Sequence, residues 1–331
     1  MMTGRAVPRG ERPATGGSRI EGNGMSGNQA KVAVIGSYAV GMTMGCKRFP
    51  GEGETVMGRG FQMLHGGKGS NQAIAVARLG GAVVFGGSVG RDDFGSSALR
   101  MLKNEGIDTS FVKRAEGAPT GVGIVIVAES GNNEIVIDLG ANNRLMPSDI
   151  DAMSEAIAGV DLLLVQLEVN PEAVIRAIDI AHGKGIAVIL NPAPFQKLPD
   201  EAIRKTTYIT PNETEAAAML GVDPRQEQDG RRLAAMLFER YEVNVLVTLG
   251  DKGVYVRTQD LDERVPGYAV NVVDTTGAGD AFSGALAVAL GEGRPLRDAV
   301  RFANCAAGLS VEVEGVVPSL PTRAVVNARY S

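Results

Sequence analysis

Short apolar runs alternate with stretches of helical period along most of this 331-residue chain, from Lys31 onward. The first run, residues 31–35 (KVAVI), is dense in β-branched residues, which favours a buried strand. A helical pattern follows over 71–79, and the next apolar run, 82–88, again reads as a strand. Because strands separated by helices pair in parallel, the pattern predicts an α/β fold whose mostly parallel sheet is covered by helices on both faces.

The same alternation predicts a helix at 94–104 and further strands at 161–167, 186–190, 208–209 and 243–248. Two regions interrupt it. Residues 39–64 are rich in glycine and have no helical period. Residues 120–138 give two strands joined by SGNN at 130–133, which predicts a hairpin. We expect strands of these two regions to pair into a small lid over one edge of the sheet.

Composition excludes several classes of protein. A hydrophobic content of 44% and a charged content of 21% are typical of an ordinary soluble protein. The net charge of -5 argues against a nucleic-acid-binding surface. No apolar run approaches the ~20 residues that span a bilayer, so no membrane partner is expected. The two cysteines, Cys46 and Cys305, do not make a disulfide framework, which favours a reducing, cytoplasmic location.

The first 30 residues have a different composition from the rest of the chain. They are rich in Gly, Arg, Ser and Asn and contain no hydrophobic stretch. This predicts a disordered tail over 1–30 and not a secretory signal. Met25 is an alternative to Met1 as the start of translation. One structural domain is therefore expected over residues 31–331.

The segment VDTTGAGDAFSG, residues 273–284, places a turn of two glycines and an alanine before an acid and an apolar helix. The first turn of a helix carries unpaired N–H groups and attracts anions. Asp280 would lie in that turn, so that a carboxylate stands beside an anion site. A phosphoryl-transfer enzyme needs both, donors for the moving charge and an acceptor for the proton of the attacking hydroxyl. An acid that only complements the helix dipole is the alternative interpretation.

A second glycine turn, HGGKGSNQA at 65–73, also opens a helix and carries a lysine and an amide. Between the two turns stand LNPAP at 190–194 and TPNETE at 210–215. In this order the four segments resemble the motifs of the ribokinase-like (PfkB) carbohydrate kinases, and most of all the ribokinases among them. The resemblance runs from about Lys31 to the C-terminus, and four motifs in sequence are far more specific than one.

The resemblance implies a three-layer αβα sandwich with a mostly parallel sheet and a small β lid, formed by about 39–64 and 115–140. It implies that the lid closes on a sugar and pairs with a second subunit in a homodimer. The implied activity is ATP- and Mg²⁺-dependent transfer of the γ-phosphoryl group to a primary hydroxyl of a small sugar, with K⁺ as a monovalent cation.

The resemblance also assigns site residues. Asp280 matches the catalytic base, and the amides of Gly277, Ala278 and Gly279 match the anion hole. The positions that match sugar ligands are Gly67, Lys68, Gly69, Asn71, Glu168 and Asp280. Those that match ATP-binding positions are Asn212, Thr248, Gly250, Gly253, Gly279 and Asn304. Glu215 matches a residue that binds Mg²⁺ through water. The monovalent-cation positions, mostly backbone carbonyls, are Asp274, Thr276, Ser310, Val313, Gly315 and Ser319.

Structural roles remain open for some of these residues. Asn71 can be a helix cap, and Asn212 and Glu215 can cap the helix that follows them. Glu168 directly follows a predicted strand, where ligands of open α/β sheets bind, but it can also be a solvated loop acid. The sequence alone therefore leaves two readings for these four residues.

One part of the motif pattern departs from the ribokinases. They typically carry Asn-x-Asp after the first strand, and the aspartate binds two ring hydroxyls of the sugar. In the segment GSYAVG, residues 36–41, Ala39 and Gly41 stand at those places. The resemblance implies a sugar kinase with ribose as the leading acceptor, and 2-deoxyribose, another pentose, a polyol or a nucleoside as alternatives. The missing carboxylate predicts that ribose is a poor substrate compared with some other acceptor. A protein that senses a sugar or nucleotide without turnover is the alternative from a different class.

Overall fold

The computed structural model describes residues 29–225 and 229–330. The predicted tail lies outside these residues except for its last two, and so does Met25. Ala30 is buried, and its carbonyl oxygen accepts a hydrogen bond from the amide of Ala82 at 2.8 Å. Packing of the domain therefore includes Ala30, one residue before the predicted boundary.

The described residues contain thirteen strands and twelve α-helices. The strands are β1 Lys31–Ile35, β2 Ala39–Cys46, β3 Gly58–Gly66, β4 Ala82–Gly90, β5 Asp108–Ala115, β6 Gly121–Ala128, β7 Asn133–Asp138, β8 Leu162–Val165, β9 Ala187–Leu190, β10 Tyr208–Ile209, β11 Asn244–Thr248, β12 Val254–Arg257 and β13 Asp262–Val265. The helices are α1 Lys68–Arg78, α2 Asp93–Asn104, α3 Pro147–Asp151, α4 Ser154–Ala158, α5 Pro171–Gly183, α6 Asp200–Arg204, α7 Glu213–Leu220, α8 Gly230–Tyr241, α9 Ala278–Gly291, α10 Leu296–Ser310, α11 Val316–Ser319 and α12 Arg323–Tyr330. Short 3-10 helices lie at Gly140–Arg144 and Gly250–Lys252. No helix in this described part of the chain is long and apolar enough to cross a membrane.

Within the described residues, the larger sheet has nine strands in the order β13-β12-β11-β10-β9-β8-β1-β4-β5. Neighbouring strands from β11 to β5 are parallel, and β12 and β13 are antiparallel additions at one edge. The predicted mostly parallel sheet is confirmed. The chain runs from β1 to β4 on one side and later returns to β8 on the other. Ligands of open α/β sheets bind beyond the strand ends at such a point of reversal.

The alternation of side chains in β1 explains the three layers. Val32 and Val34 belong to a core formed with α1, α9 and α10 on one face of the sheet. Ala33 and Ile35 belong to a second core formed with α5, α7 and α8 on the other face. Successive side chains of a strand point to opposite faces, so each face of β1 needs its own layer of helices. The predicted three-layer αβα sandwich, a sheet with helices on both faces, is therefore confirmed.

Close packing of α9 on α1 brings the two motif turns together. At Gly284 in α9, a Cβ atom would lie 2.6 Å from Ala75 Cβ and 3.0 Å from Gln72 O of α1. Only glycine permits this approach, because real Cβ atoms do not come so near to other heavy atoms. Both helices begin in a glycine turn, and the turns therefore meet at one end of the sheet.

The lid is a second sheet of four strands in the described chain, in the order β3-β2-β6-β7. Strands β2 and β6 are parallel, and the other pairs are antiparallel. Its strands come from the two regions that interrupt the alternation, and β6 and β7 form the predicted hairpin. Buried Asn142 ties the lid to the body: its Oδ1 accepts from Tyr38 N at 3.0 Å, and its Nδ2 donates to Tyr38 O and Leu139 O at 2.8 and 2.9 Å.

Candidate active site

The strand ends at the point of reversal bring Ser37 and Glu168 together. Ser37 Oγ donates to Glu168 Oε2 at 2.5 Å, and the same oxygen accepts from the backbone N–H of Lys68 at 2.9 Å. Strand β8 ends at Val165, two residues before the predicted end, so Glu168 lies in the turn beyond the strand. The carboxylate of Glu168 thus joins the turns after β1 and β8 to the start of α1.

The turn before α1 lies flat against the turn after β1. Gly67 has a φ of 98°, and a Cβ there would lie 2.7 Å from Tyr38 Cα. A Cβ at Gly69 would lie 2.4 Å from Ser37 N. These two predicted sugar ligands must be glycines for the backbones to touch, since any side chain would collide. Lys68, between them, is fixed in place by its neighbours.

Asp280 is the third residue of α9, and the two motif turns meet at its carboxylate. Its side chain is 5% exposed. Oδ2 accepts from Asn71 Nδ2 at 2.9 Å, and Oδ1 accepts from Gln72 Nε2 at 3.0 Å. Burial raises the pKa of Asp280 above its ordinary value, and the charge of Lys68 and the two amide hydrogen bonds oppose that rise. A carboxylate with a raised pKa is the better proton acceptor.

Lys68 is a cation among three acids. Burial by itself lowers the pKa of the Lys68 ammonium, but the charges of Asp280, Glu168 and Glu215 outweigh burial and raise it. The ammonium is therefore protonated at neutral pH. It stands where a positive charge would neutralise a phosphoryl group that approaches Asp280.

The turn before α9 has the geometry of an anion site. Gly277 has a φ of 83°, and a Cβ there would lie 2.5 Å from Val316 Cγ1, so glycine is required. Of the three predicted anion-hole amides, that of Ala278 donates to Thr275 O at 3.3 Å. The amides of Gly277 and Gly279 have no acceptor in the described part of the chain. A Cβ at Gly279 would meet nothing within 4 Å, so there is open space beside this residue of the turn.

Asn212 and Glu215 form a reciprocal cap at the start of α7. Asn212 Oδ1 accepts from Glu215 N at 2.8 Å, and Glu215 Oε2 accepts from Asn212 N at 2.9 Å. The capping interpretation is therefore confirmed for both. Burial raises the pKa of Glu215, the cap and Lys68 oppose the rise, and the charge of Asp280 adds to it. No group of three or more His, Cys, Asp or Glu side chains in residues 29–225 and 229–330 could hold a metal.

The predicted ATP residues lie along the neighbouring strand ends. Thr248, the last residue of β11, forms an isolated parallel bridge with Asn212. Gly250 follows with a φ of 58°, and a Cβ there would meet nothing within 4 Å. The backbone of this loop is therefore open to a flat or charged ligand.

The other predicted ATP residues meet at the carbonyl of Val265. Gly253 has a φ of 92°, and a Cβ there would lie 2.2 Å from Val265 O. Buried Asn304 donates from Nδ2 to Val265 O at 3.2 Å and to Pro266 O at 3.0 Å. Asn304 thus holds the segment against which the Gly253 loop packs.

Asp274 ties together the loops of the predicted cation site. Its Oδ1 accepts from Thr276 N at 2.9 Å, and its Oδ2 accepts from Gly315 N at 3.0 Å. Burial raises the pKa of Asp274, but the hydrogen bonds from Thr276 and Gly315 outweigh it and lower the pKa overall. The remaining residues of the set are Ser310, Val313 and Ser319, and both serine hydroxyls donate to carbonyls of their own helices at 2.8 Å. Both oxygens of the Asp274 carboxylate thus hold the loops at Thr276 and Gly315 together.

Three buried amides next to Asp280 were missed by sequence reasoning. Gln72 Nε2 donates to Asn191 Oδ1 at 3.0 Å as well as to Asp280, and Gln166 Nε2 donates to Gln72 Oε1 at 2.5 Å. Gln72 and Asn191 lie inside the motif segments 65–73 and 190–194, and this position was the signal that could have identified them as site residues. Gln166 is a polar residue in the apolar run LLLVQL at 162–167, and that contrast was its signal.

The two faces of the lid strand β2 differ in chemistry. Val40 packs with Ala98 of α2 on one face. Ala39 and Gly41 point to the other face, together with Leu64 of β3. Leu64 Cδ1 lies 3.6 Å from the position of a Cβ at Gly315. The face with Ala39 and Gly41 therefore turns toward the Asp274–Gly315 loops and the site.

That site-facing surface of the lid has few side chains. Its two paired rows are Gly66, Ala39 and Gly121, and Leu64, Gly41 and Gly123. Gly41 has no positive φ, and a Cβ there would meet only Leu64 O at 3.8 Å. The fold does not require glycine at position 41.

Comparison with known proteins extends over both sheets. Residues 29–323 match the sequence model of the pfkB family carbohydrate kinases. The chain is 38% identical over 292 residues to a ribokinase of Haemophilus influenzae, which covers 88% of this chain and 95% of that protein. It is 37% identical over 292 residues to a deoxyribokinase of Salmonella typhimurium, with coverage of 88% and 95%. It superimposes on the ribokinase of Arabidopsis thaliana, solved with ribose and ATP, with a TM-score of 0.86, 32% identity and coverage of 92% and 99%.

Proposed function

Because the chain belongs to the pfkB family of carbohydrate kinases, we propose that Asp280 and its neighbours transfer the γ-phosphoryl group of ATP to a primary hydroxyl of a small sugar. The protein is thus a phosphotransferase with an alcohol group as acceptor. The observation that carries the proposal is the meeting of both motif turns at one buried carboxylate, with Asn71 and Gln72 on its two oxygens.

Each group near Asp280 has a chemical role in this proposal. Asp280 takes the proton of the attacking hydroxyl. The amides of Gly277 and Gly279 donate to the oxygens of the moving phosphoryl group, whose charge Lys68 also neutralises. Such preorganised donors act where charge develops, which is why a turn with unused amides supports phosphoryl transfer.

Asn71 supports a sugar site beside the base. Its Nδ2 binds Asp280, whereas its Oδ1 is buried and has no hydrogen-bond partner among the described residues. A buried acceptor without a partner costs about 1–3 kcal/mol. A sugar hydroxyl that donates to Asn71 Oδ1 would remove this cost and bring the acceptor to within reach of Asp280.

Two metal ions are part of the proposal. Mg²⁺, held through water by Glu215, would neutralise charge on the phosphates of ATP. K⁺ would lie among the carbonyls around Asp274 and stiffen the turn that begins at Gly277. The nucleotide would be held by the six predicted ATP residues, Asn212, Thr248, Gly250, Gly253, Gly279 and Asn304.

The names of its relatives leave the acceptor open, because they include both ribokinase and deoxyribokinase. We therefore argue the acceptor from the residues of this chain. Ala39 and Gly41 supply neither a charge nor an amide to a sugar hydroxyl. They also leave room at the lid side of the site. We therefore propose a sugar with fewer hydroxyls at that wall, such as 2-deoxyribose, or one with a bulkier group there, in preference to ribose.

A homodimer that forms through the lid and a cytoplasmic location complete the proposal. Apolar side chains on the lid are exposed, among them Phe61, Ile135, Val136 and Ile137, and burial against a second copy would remove them from water. The cysteines are buried thiols and not a disulfide, which suits a reducing compartment that contains ATP.

A coupled ADP-release assay over pentoses, ketoses, polyols and nucleosides tests the proposal. We expect turnover with at least one sugar and a loss of about 10²–10⁴-fold or more in Asp280→Asn. ATP binding, measured by calorimetry, should persist in that variant. ATP and sugar binding without ADP release from the unmodified protein would favour the sensor interpretation instead. Near-normal rates in Asp280→Asn would remove Asp280 from the mechanism.

A further inference from the structure

The amide of Gln72 has one possible orientation. Both hydrogens of Nε2 have acceptors, Asp280 Oδ1 and Asn191 Oδ1, and Oε1 accepts from Gln166 Nε2. A flipped amide would set Oε1 against the carboxylate of Asp280 and Nε2 against another amino group. Asn191 is itself fixed, because its Nδ2 donates to Thr210 O at 3.1 Å. The position of Gln72 Nε2 is therefore determined by three elements outside α1.

Gln72 is too deeply buried to contact a ligand. Its side chain is 0% exposed, while its neighbour Asn71 keeps a free acceptor atom beside Asp280. The two donors to the carboxylate thus differ: Asn71 can respond to a sugar, and Gln72 cannot. Gln72 also sits at the start of a helix whose next four residues pack in an apolar core. The amide of Gln72 is fully paired, whereas Gln166 Oε1 is buried without a partner among the described residues.

We infer that Gln72 positions the catalytic base: its amide, fixed by Gln166 and Asn191, holds Asp280 Oδ1 so that the carboxylate keeps one orientation toward the acceptor hydroxyl. The inference rests on the proposed role of Asp280. A carboxylate held at both oxygens cannot rotate, whereas one held by Asn71 alone can. Misplacement of a reacting group by about 1 Å can cost about 10²-fold in rate.

Loss of Gln72 also changes the acid–base behaviour of Asp280 in a defined direction. A hydrogen bond to the ionised carboxylate favours the charged form, so its removal moves the titration of Asp280 to higher pH. The other groups that face Asp280 are Lys68 on α1, Glu168 after β8 and Glu215 on α7, and they remain in place. The acid limb of the plot of kcat/KM against pH should therefore move to higher pH, while the rest of the plot keeps its position.

The test compares Gln72→Met with the unmodified enzyme. Methionine keeps the length of the side chain and removes all three hydrogen bonds. We expect kcat to fall about 10- to 100-fold with KM for sugar and ATP nearly unchanged, and the acid limb to move to higher pH. Gln166→Met, which only frees the amide of Gln72, should change both in the same direction by less. Gln166→Met also tests the inference if Gln72→Met does not fold.

A matched control separates loss of orientation from loss of stability. Thr206→Val removes another buried hydrogen bond, from Thr206 Oγ1 just after α6 to Ile203 O at 2.7 Å, outside the site. It should lower the melting temperature and leave kcat and the pH profile unchanged. An unchanged kcat and acid limb in both glutamine variants, or an equal loss of kcat in Thr206→Val, would overturn the inference.

The carboxyl titration of Asp280 can also be followed by NMR without turnover. If the unmodified protein releases no ADP with any acceptor, the proposed function fails. The positioning of Asp280 by Gln72 is still decided by this titration, which should move to higher pH in Gln72→Met. An unmoved titration counts against the inference alone.

Discussion

Replacement of Gly41 by aspartate should shift the sugar preference of this kinase toward ribose. Gly41 lies in the middle of β2, on the face of the lid that turns toward the site. Its φ is not positive, and a Cβ there would meet only Leu64 O, at 3.8 Å. The backbone and its neighbours therefore accept a side chain without strain, and the new carboxylate would face the sugar.

The size of the effect follows from the hydrogen bonds that the carboxylate can accept. Each hydrogen bond to a charged group contributes roughly 1.5–3 kcal/mol, so a pair of hydroxyls gives about 3–6 kcal/mol. Gly41 is half-buried, and water leaves the new carboxylate when the sugar binds. We therefore expect a net gain of about 1.4–2.8 kcal/mol, which is about 10- to 100-fold.

The assay is the ratio of kcat/KM for ribose to that for 2-deoxyribose, measured in the unmodified protein and in Gly41→Asp. Gly123→Asp is the matched control, since it adds the same charge to the same row of the lid one strand farther away. A Cβ at Gly123 would meet only Ile137 Cγ1, at 3.9 Å, so this variant is also tolerated. We expect the ratio to rise in Gly41→Asp and to change much less in Gly123→Asp.

Two results would refute this reasoning. One is an unmodified protein that already prefers ribose over every other acceptor and binds it with a low-micromolar KM. The other is an unchanged ratio in Gly41→Asp when that variant is folded and active. Either result would mean that residues other than those at positions 39 and 41 hold the sugar hydroxyls.

Two further predictions concern the cation loops and the base of the lid. K⁺ should raise the rate above that in Na⁺ or Tris alone, because a cation near Asp274 would stiffen the turn at Gly277; equal rates in the three buffers would contradict it. Asp92→Ala should cost about 0.5–2 kcal/mol of stability at neutral pH, as Asp92 caps α2 and also accepts from Thr120. Burial raises the pKa of Asp92, but these hydrogen bonds outweigh it and lower the pKa overall. The difference in urea unfolding free energy should therefore be full at neutral pH and shrink as pH falls through the pKa of folded Asp92; a difference that is independent of pH would argue against this role.

The sequence by itself determined the elements and the two turns that build the site. The strand at 31–35 was predicted from its density of β-branched residues, and the hairpin from the turn residues at 130–133. Both signals depend on near neighbours in the chain, and the structure contains the strand and the hairpin. The glycines of the two turns were equally visible, since a positive φ, as at Gly67 and Gly277, is a local requirement. Helix α1 begins at Lys68, three residues before the predicted position 71, because a helix that begins in a glycine turn has no apolar residue to mark its first turn.

Only the tertiary structure decided which residues surround Asp280. Its two amide partners are 209 and 208 positions away in the chain, and Gln166 is 94 positions from Gln72. No local pattern encodes such pairs, because they depend on how closely α9 packs on α1 at Gly284. The tertiary structure also showed that Gly41 has room for a side chain. The physical reason is the same in both cases: periodicity and turn chemistry act between neighbours, whereas side-chain contacts and free space are properties of the packed domain.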